Sequence, residues 1–352
     1  MPIKNLRNKI DYLNSLRGIA VLMVIFTHAG LYSTTTSLAP WLRSIIGDAS
    51  RGVQLFYILS AFTLFYSIES RSSDDKHRWV DFFIRRLFRI APLWWLSIAV
   101  FIQLRNEFHF SSLNIFMNAI FLHGFHPRFI NSIVVGGWSI AVEMNFYLLV
   151  PLFWKICSNT SRSVITLFWL YLATRLLTLA LGVVTTPFSA QVWTEYLYYF
   201  LPHQLPVFIF GFILFHMVIR KDLILSRIAS VHAALFILLI FSFSKDWFMS
   251  QCILLFPLVW IVSAAPGIKL WNNRVLQFIG RLSFSVYLVH FAAVLLVRHT
   301  GVLDLITNPY LVFFCGFILV SATATGIAYL TYKLIEKPGI ILGNRLIEKF
   351  VG

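Results

Sequence analysis

Residues 16–28 read LRGIAVLMVIFTH, an apolar run opened by Arg17 and closed by His28. Their separation of 11 positions returns them, at ~100° per residue, to within roughly 20° of one helix face, about 16 Å apart along its axis. If the run spans a membrane, one face carries a cation near the surface and a titratable ring deep in the bilayer. Ionisable groups at such depth cost about 2.5 kcal/mol or more unless they face a polar cavity, so they mark function by default. The rest of the chain must supply that cavity.

Composition sets the broad class. The 352 residues are 59% hydrophobic and 12% charged, with a mean hydropathy of +0.78, far more apolar than a soluble domain. The expectation is an all-α, polytopic transmembrane helical bundle. A net charge of +15, from 29 Lys and Arg against 14 Asp and Glu, is distributed between apolar runs and forms no continuous patch. That pattern argues against nucleic acid as a partner and for a positive-inside topology. Cys157, Cys252 and Cys315 are widely spaced, with no CxxC, so no disulfide framework and no metal site is expected. The basic start MPIKNLRNKI, followed by an apolar stretch, has the form of a signal peptide. The comparable runs that follow favour a retained first span.

Runs near 20 residues, sided by their flanking charges, give about ten spans. They are 12–32, 51–68, 83–104, 137–155, 164–184, 205–219, 228–243, 247–264, 282–297 and 310–334. Lys4, Arg7 and Lys9 put the N-terminus in the cytoplasm. The loop bearing Arg71, Lys76, Arg78, Arg85 and Arg86 falls on the same side, as do Lys155 with Arg162, Arg220 with Lys221 and Arg227, and Lys269 with Arg274 and Arg281. Both termini are then cytoplasmic. Residues 113–125 are too short to cross and are expected to be re-entrant or interfacial on the outer side. An outer segment reaches Tyr199, and Lys245 and Asp246 form an outer tip. No linker, repeat or low-complexity segment divides the chain, so residues 1–352 read as a single transmembrane domain without an appended soluble one.

Residues 136–151, GGWSIAVEMNFYLLVP, carry Glu143, the one acidic residue well inside an expected span. Ser139, Glu143 and Tyr147 recur at i, i+4 and i+8 and make a polar stripe. Glu143 lies about 9 Å from the outer end of its span, and His28 approaches that half from below, so the two are expected to meet. A carboxylate beside an imidazole holds its tautomer and favours its protonated form, which suits a general base acting on a hydroxyl. The bland alternatives are a packing histidine, and a Glu143 that is neutral and hydrogen-bonded or paired with Arg175.

Residues 81–95, DFFIRRLFRIAPLWW, place Arg85, Arg86 and Arg89 at the cytoplasmic mouth of the third span, with Arg17 and Arg281 opening the first and ninth. Arginine forks suit the phosphates of a polyanionic cytosolic ligand. Positive-inside anchoring is the competing reading. In GRLSFSVYLVHF, Ser283, Tyr287 and His290 share a face that lines the same cavity or forms a hydrogen-bonded seam between helices. Glu336 and Pro338 read as a helix stop with a cytoplasmic ion pair.

In order along the chain, LNSLRGIAVLMVIFTH, GVQLFYILSAFTL, RRLFRIAP, GGWSIAVEMNFYLLVP, GRLSFSVYLVH and LIEKPG resemble the successive motifs of the bacterial acyltransferase family 3, from about Asp11 to Arg345. The resemblance implies a ten-helix bundle in the cell inner membrane that takes an acyl group, usually acetyl, from cytosolic acetyl-CoA without a metal. Its implied acceptor is a hydroxyl of a cell-surface saccharide or lipid-linked glycan, in the biosynthesis of a lipopolysaccharide, an exopolysaccharide or another surface polymer. Carried over by motif, the family's histidine falls on His28, its preceding arginine on Arg17, its RxxR pair on Arg86 and Arg89, and its glutamate on Glu143. Two departures stand out. The acid of GVDLFF is replaced by Gln54, and VEEQFY becomes VEMNFY, which loses the second acid and puts Asn145 at a possible acceptor contact. Ser139, Asn145, Tyr147, Tyr287 and His290 are the expected substrate-binding residues. His28 is expected to deprotonate the acceptor or to carry the acyl group itself. A proton-coupled carrier or a lipid or glycan flippase is the competing class, since a buried His and Glu suit it too.

Overall fold

The structure, a computed structural model, describes residues 11–30, 37–70, 78–105, 107–242 and 247–350, without the side chains of Trp247 and Phe350. Lys4, Arg7, Lys9, Arg71, Lys76, Lys245 and Asp246, used above to side the loops, lie outside the described residues. Every regular element among the described residues is helical. In chain order they are α1 (Asp11–Ala29), α2 (Pro40–Asp48), α3 (Gly52–Glu69), α4 (Arg78–Leu104), α5 (Ser112–Ala119), α6 (Trp138–Ile156), α7 (Thr160–Gly182) and α8 (Ala190–Tyr199). There follow α9 (Leu201–Val218), α10 (Arg227–Ser242), α11 (Trp247–Ala264), α12 (Arg274–Arg281), α13 (Ser283–His299), α14 (Pro309–Thr331) and α15 (Lys337–Phe350).

Among the described residues, seven helical stretches are long and apolar enough to cross a membrane. They are α1, α2 with α3, α4, α6, α7, α8 with α9, and Pro309–Lys349. The pair α12 and α13, bent by 81°, makes an eighth, while α10 and Phe248–Ala264 are apolar but shorter. This is a multi-pass membrane protein. The piece expected to fall short of a crossing does so, as the two-turn α5 and a 3-10 turn at His123–Phe125.

The chain forms two compact units, Met1–Phe56 with Pro257–Leu342, and Tyr57–Phe256 with Gly343–Gly352. In the first, α1 and α12 cross at two glycines. A Cβ on Gly18 would lie 2.3 Å from the Leu276 carbonyl oxygen, and one on Gly280 only 1.6 Å from that of Asn14. Small residues let membrane helices approach backbone to backbone in this way. At the other end of α1, Phe26 meets Phe313 and Phe317 of α14 edge-on at 4.9 and 5.3 Å, and Thr27 Oγ1 donates to the Ile46 carbonyl of α2 at 2.9 Å. These contacts fix the rotation of α1 about its axis.

The tail departs from the sequence reading. Glu336 and Pro338 do not stop a helix: α14 passes through a π turn at Tyr332–Glu336 into α15. Pro338, which has no N–H to give, stands two residues beyond that π turn, and the local change of hydrogen-bond register carries the helix past it. Glu336 is buried and accepts from Ser285 Oγ at 2.7 Å. Ser285→Ala removes that donor from a buried carboxylate, and is expected to lower unfolding stability by about 1 kcal/mol in thermal melts of the solubilised protein.

In the second unit an aromatic core holds α3, α6 and α9. Phe65 stacks on Phe212 at 3.8 Å, Phe146 on Phe208 at 3.7 Å and Tyr57 on Phe208 at 4.5 Å. One end of this unit is tied by polar groups, with Arg220 paired to Glu69 at 2.5 Å and Asp222 accepting from the Thr160 amide at 2.8 Å. At the opposite end the indoles of Trp94 and Trp95 donate to Asn118 and Ala119 carbonyls. There Gly136, at φ 79°, makes the turn into α6, a left-handed conformation that glycine adopts without strain.

The helix α4 begins at Arg78, before the expected start of the third span at residue 83, so Arg78, expected in the loop, lies within it together with Arg85 and Arg86. Its 27 residues span about 40 Å, more than the ~30 Å hydrocarbon layer requires. The surplus carries the arginines.

Candidate active site

His28 occupies the last turn of α1, half-buried. Its ring centroid is 5.1 Å from that of His290 and 4.4 Å from that of Phe291, both on α13. Its Nδ1 is buried with no hydrogen-bond partner among the described residues. Two expected site histidines are thus brought together. Tyr287, one turn before His290, is buried with its ring 5.5 Å from that of His290. Arg17 is half-buried in the second turn of α1, beside Gly18, and Arg281 follows Gly280. The same glycine crossing therefore places both arginines on adjoining backbone.

Glu143 belongs to the second unit and has its own polar neighbours. One carboxylate oxygen, Oε1, accepts from Tyr147 Oη at 2.5 Å and from Ser60 Oγ at 2.7 Å. Tyr147 follows from the i, i+4 stripe read in the sequence. Ser60 was not anticipated; its signal was its place seven residues before Ser67 on α3, two turns along the same face. Of the other expected contacts, Ser139 Oγ turns back to the Gly136 carbonyl at 3.1 Å. Asn145 is buried, and its amide donates to the Phe121 and Ala141 carbonyls at 2.9 and 2.7 Å, which ties α6 to the segment before it.

The Arg86 guanidinium lies 5.8 Å from the Tyr147 ring centroid and 5.7 Å from that of Phe82. This cation-π arrangement links α4 to the Glu143 cluster. Below it Ser67, Ile68, Arg78, Phe82, Arg85 and Arg86 line a recess. Asp81, buried, pairs with Arg85 at 2.5 Å, one turn along α4. Arg89 lies half-buried one turn beyond Arg85. The arginines anticipated from the sequence thus divide. Arg86 joins the recess to the carboxylate, with Arg85 and Arg78 beside it, and Arg17 stands on α1.

The Ser60 and Tyr147 hydroxyls are two donors to one carboxylate oxygen. Glu143→Gln keeps an acceptor oxygen for both and removes the charge. If the charge is used, turnover is expected to fall about a hundred-fold with the melting temperature preserved, and Ser60→Ala to cost about ten-fold. Full activity in Glu143→Gln would make the carboxylate a structural acceptor.

Residues 10–333 match the family model described as an acyltransferase domain, acyltransferase 3. The chain belongs to this family. Among the relatives it resembles is a Staphylococcus aureus (strain COL) protein named "Putative O-acetyltransferase SACOL0978", 24% identical over 94% of this chain and 57% of its own length. A Komagataeibacter xylinus protein named "Putative membrane-bound transacylase BcsY" is 24% identical over 97% and 85%. A protein of Acidianus two-tailed virus, named "Putative acetyltransferase ORF330", is 33% identical over 40% of each chain. The chain thus spans 40% of the viral relative's length and 57% of the staphylococcal one's. No solved structure matches it.

Proposed function

We propose that the chain is an O-acyltransferase of the cell inner membrane. It takes an acyl group, acetyl by default, from acyl-CoA on the cytosolic side and passes it to a hydroxyl of a cell-surface saccharide or lipid-linked glycan. The observation that carries this reading lies in the second unit, where an arginine-lined recess is joined through Arg86 and Tyr147 to a carboxylate inside an apolar helix. Guanidinium forks suit phosphate oxygens. From Ser67 at the recess to Ser60 at Glu143 is about 10 Å along α3, a reach that fits the slender arm of a nucleotide thioester better than the nucleotide itself.

In this scheme His28 takes the proton of the acceptor hydroxyl, whose oxygen attacks the thioester carbonyl. The C–S bond breaks, and the leaving thiolate recovers the proton from His28. Glu143 balances the positive charge that His28 carries between those two transfers. Arg17, Arg86 and Arg89 hold the donor's phosphates, and Tyr287 and His290 line the acyl end beside His28. The atoms balance as thioester plus alcohol giving ester plus thiol.

The test is transfer of radiolabelled acetyl from acetyl-CoA to glycans of the host envelope by the purified protein. Arg86→Ala is expected to raise the KM for acetyl-CoA about ten-fold, with a steeper salt dependence lost alongside it. A purified, folded protein that neither binds acetyl-CoA nor moves its acyl group would overturn the proposal.

A further inference from the structure

The scheme sets a second imidazole of the first unit at the acyl end without giving its ring nitrogens a task. His290 is wholly buried on α13, its ring 5.1 Å from that of His28 and 4.3 Å from that of Phe291. Its Nδ1 hydrogen-bonds to the Tyr287 carbonyl oxygen. A carbonyl only accepts, so the proton is on Nδ1, and a neutral ring that donates through one nitrogen offers a lone pair at the other. That other nitrogen, Nε2, is buried with no hydrogen-bond partner among the described residues. Leaving an acceptor unmet inside a bilayer is costly, and a leucine would fill the space without that cost. Phe291 has no donor to give, and the neighbouring His28 shows an unpartnered nitrogen of its own.

We infer that Nε2 of His290 is the acceptor for a secondary-amide N–H in the arm of the acyl donor, placed so that the adjoining thioester faces His28. The inference rests on the acyl-CoA reading and deepens it. In a pantetheine thioester the nearest amide nitrogen is two methylene groups from sulfur, so a hydrogen bond to His290 anchors the arm one short step from the reacting carbonyl. His290 is then a binding residue that orients the thioester. It neither takes the acceptor's proton nor carries the acyl group, and the tautomer that Tyr287 imposes is what gives it an acceptor to offer.

Two measurements on the full-length protein test this. In protein containing 15N-labelled histidine, His290 is expected to show the Nδ1–H tautomer, and coenzyme A is expected to shift its Nε2 resonance. An Nε2–H tautomer, or an unmoved Nε2 while calorimetry shows coenzyme A bound, overturns the inference and leaves the acyl-CoA reading standing. No binding of coenzyme A at all overturns both. In kinetics, His290→Gln keeps an acceptor oxygen at similar reach and is expected to hold the KM for acetyl-CoA within about three-fold, whereas His290→Leu raises it about ten-fold with a smaller change in kcat. Equal losses in the two variants would mark a packing role and overturn the assignment.

Discussion

His28→Ala is expected to lower acyl transfer about a thousand-fold while leaving the solubilised protein folded, with its melting temperature little changed. The structure explains why the two effects separate. Nδ1 of His28 has no hydrogen-bond partner among the described residues, so the substitution strands no buried donor or acceptor there. The α1 terminus is held instead by Thr27 on Ile46 and by Phe26 between Phe313 and Phe317. The ring's own contacts are with His290 and Phe291, and a phenylalanine could make them. His28→Phe therefore separates chemistry from packing. Activity is expected to be lost in both variants; a His28→Phe protein that still transfers acetyl would make the ring a packing element.

The largest effect on stability is expected at the α1–α12 crossing. Gly280→Ala puts a methyl carbon 1.6 Å from the Asn14 carbonyl oxygen, and Gly18→Ala puts one 2.3 Å from that of Leu276. Both obstacles are backbone, which cannot rotate away as a side chain does, so the helices must separate. A cost of about 3 kcal/mol is expected for Gly280→Ala, read as a fall in melting temperature and in yield of folded protein. Gly326→Ala on α14 is the control, because nothing lies within 4 Å of its added methyl. It is expected to be neutral or stabilising by up to about 1 kcal/mol, since alanine exceeds glycine in helix propensity. Equal destabilisation in both would mean that the crossing is not held by close approach.

The long helices were legible because a bilayer demands uninterrupted apolar length, and α1, α6 and α14 begin and end within a few residues of the runs that predicted them. The short elements were not. Each of α2 and α12 has fewer than ten residues, too few for a spanning pattern, and neither carries its own apolar run. The charges of Arg78, Arg85 and Arg86 mark the cytoplasmic mouth of the third span but not where its helix starts, which is at Arg78. A helix longer than the bilayer is thick carries charged turns without breaking, and α4 does so. At Glu336 the expected helix stop failed for another reason, since a π turn carries the helix past the proline that follows.

Residue partnerships were harder to foresee. Tyr147 with Glu143 lies within one helix, and its spacing is visible in the sequence; Ser60 with Glu143 joins two helices, and only their packing brings the pair together. The glycines of LRG and GRL each stand beside an arginine, but what they share, a backbone crossing, has no local signature. Asn145 was read as an acceptor contact from its place in a motif. Its amide is engaged with the Phe121 and Ala141 carbonyls, a use that depends on where the chain before α6 returns.

The central claim is that one imidazole and one carboxylate act as a single catalytic unit in acyl transfer, and a double-mutant cycle on His28 and Glu143 tests it most directly. Transfer of radiolabelled acetyl from acetyl-CoA is measured for the wild type, His28→Ala, Glu143→Gln and the double variant, each checked for a native melting temperature. If Glu143 works by balancing the charge on His28, it has nothing left to do once the imidazole is gone. The double variant is then predicted to be no more than about three-fold slower than His28→Ala alone. Losses that multiply in full would contradict the account.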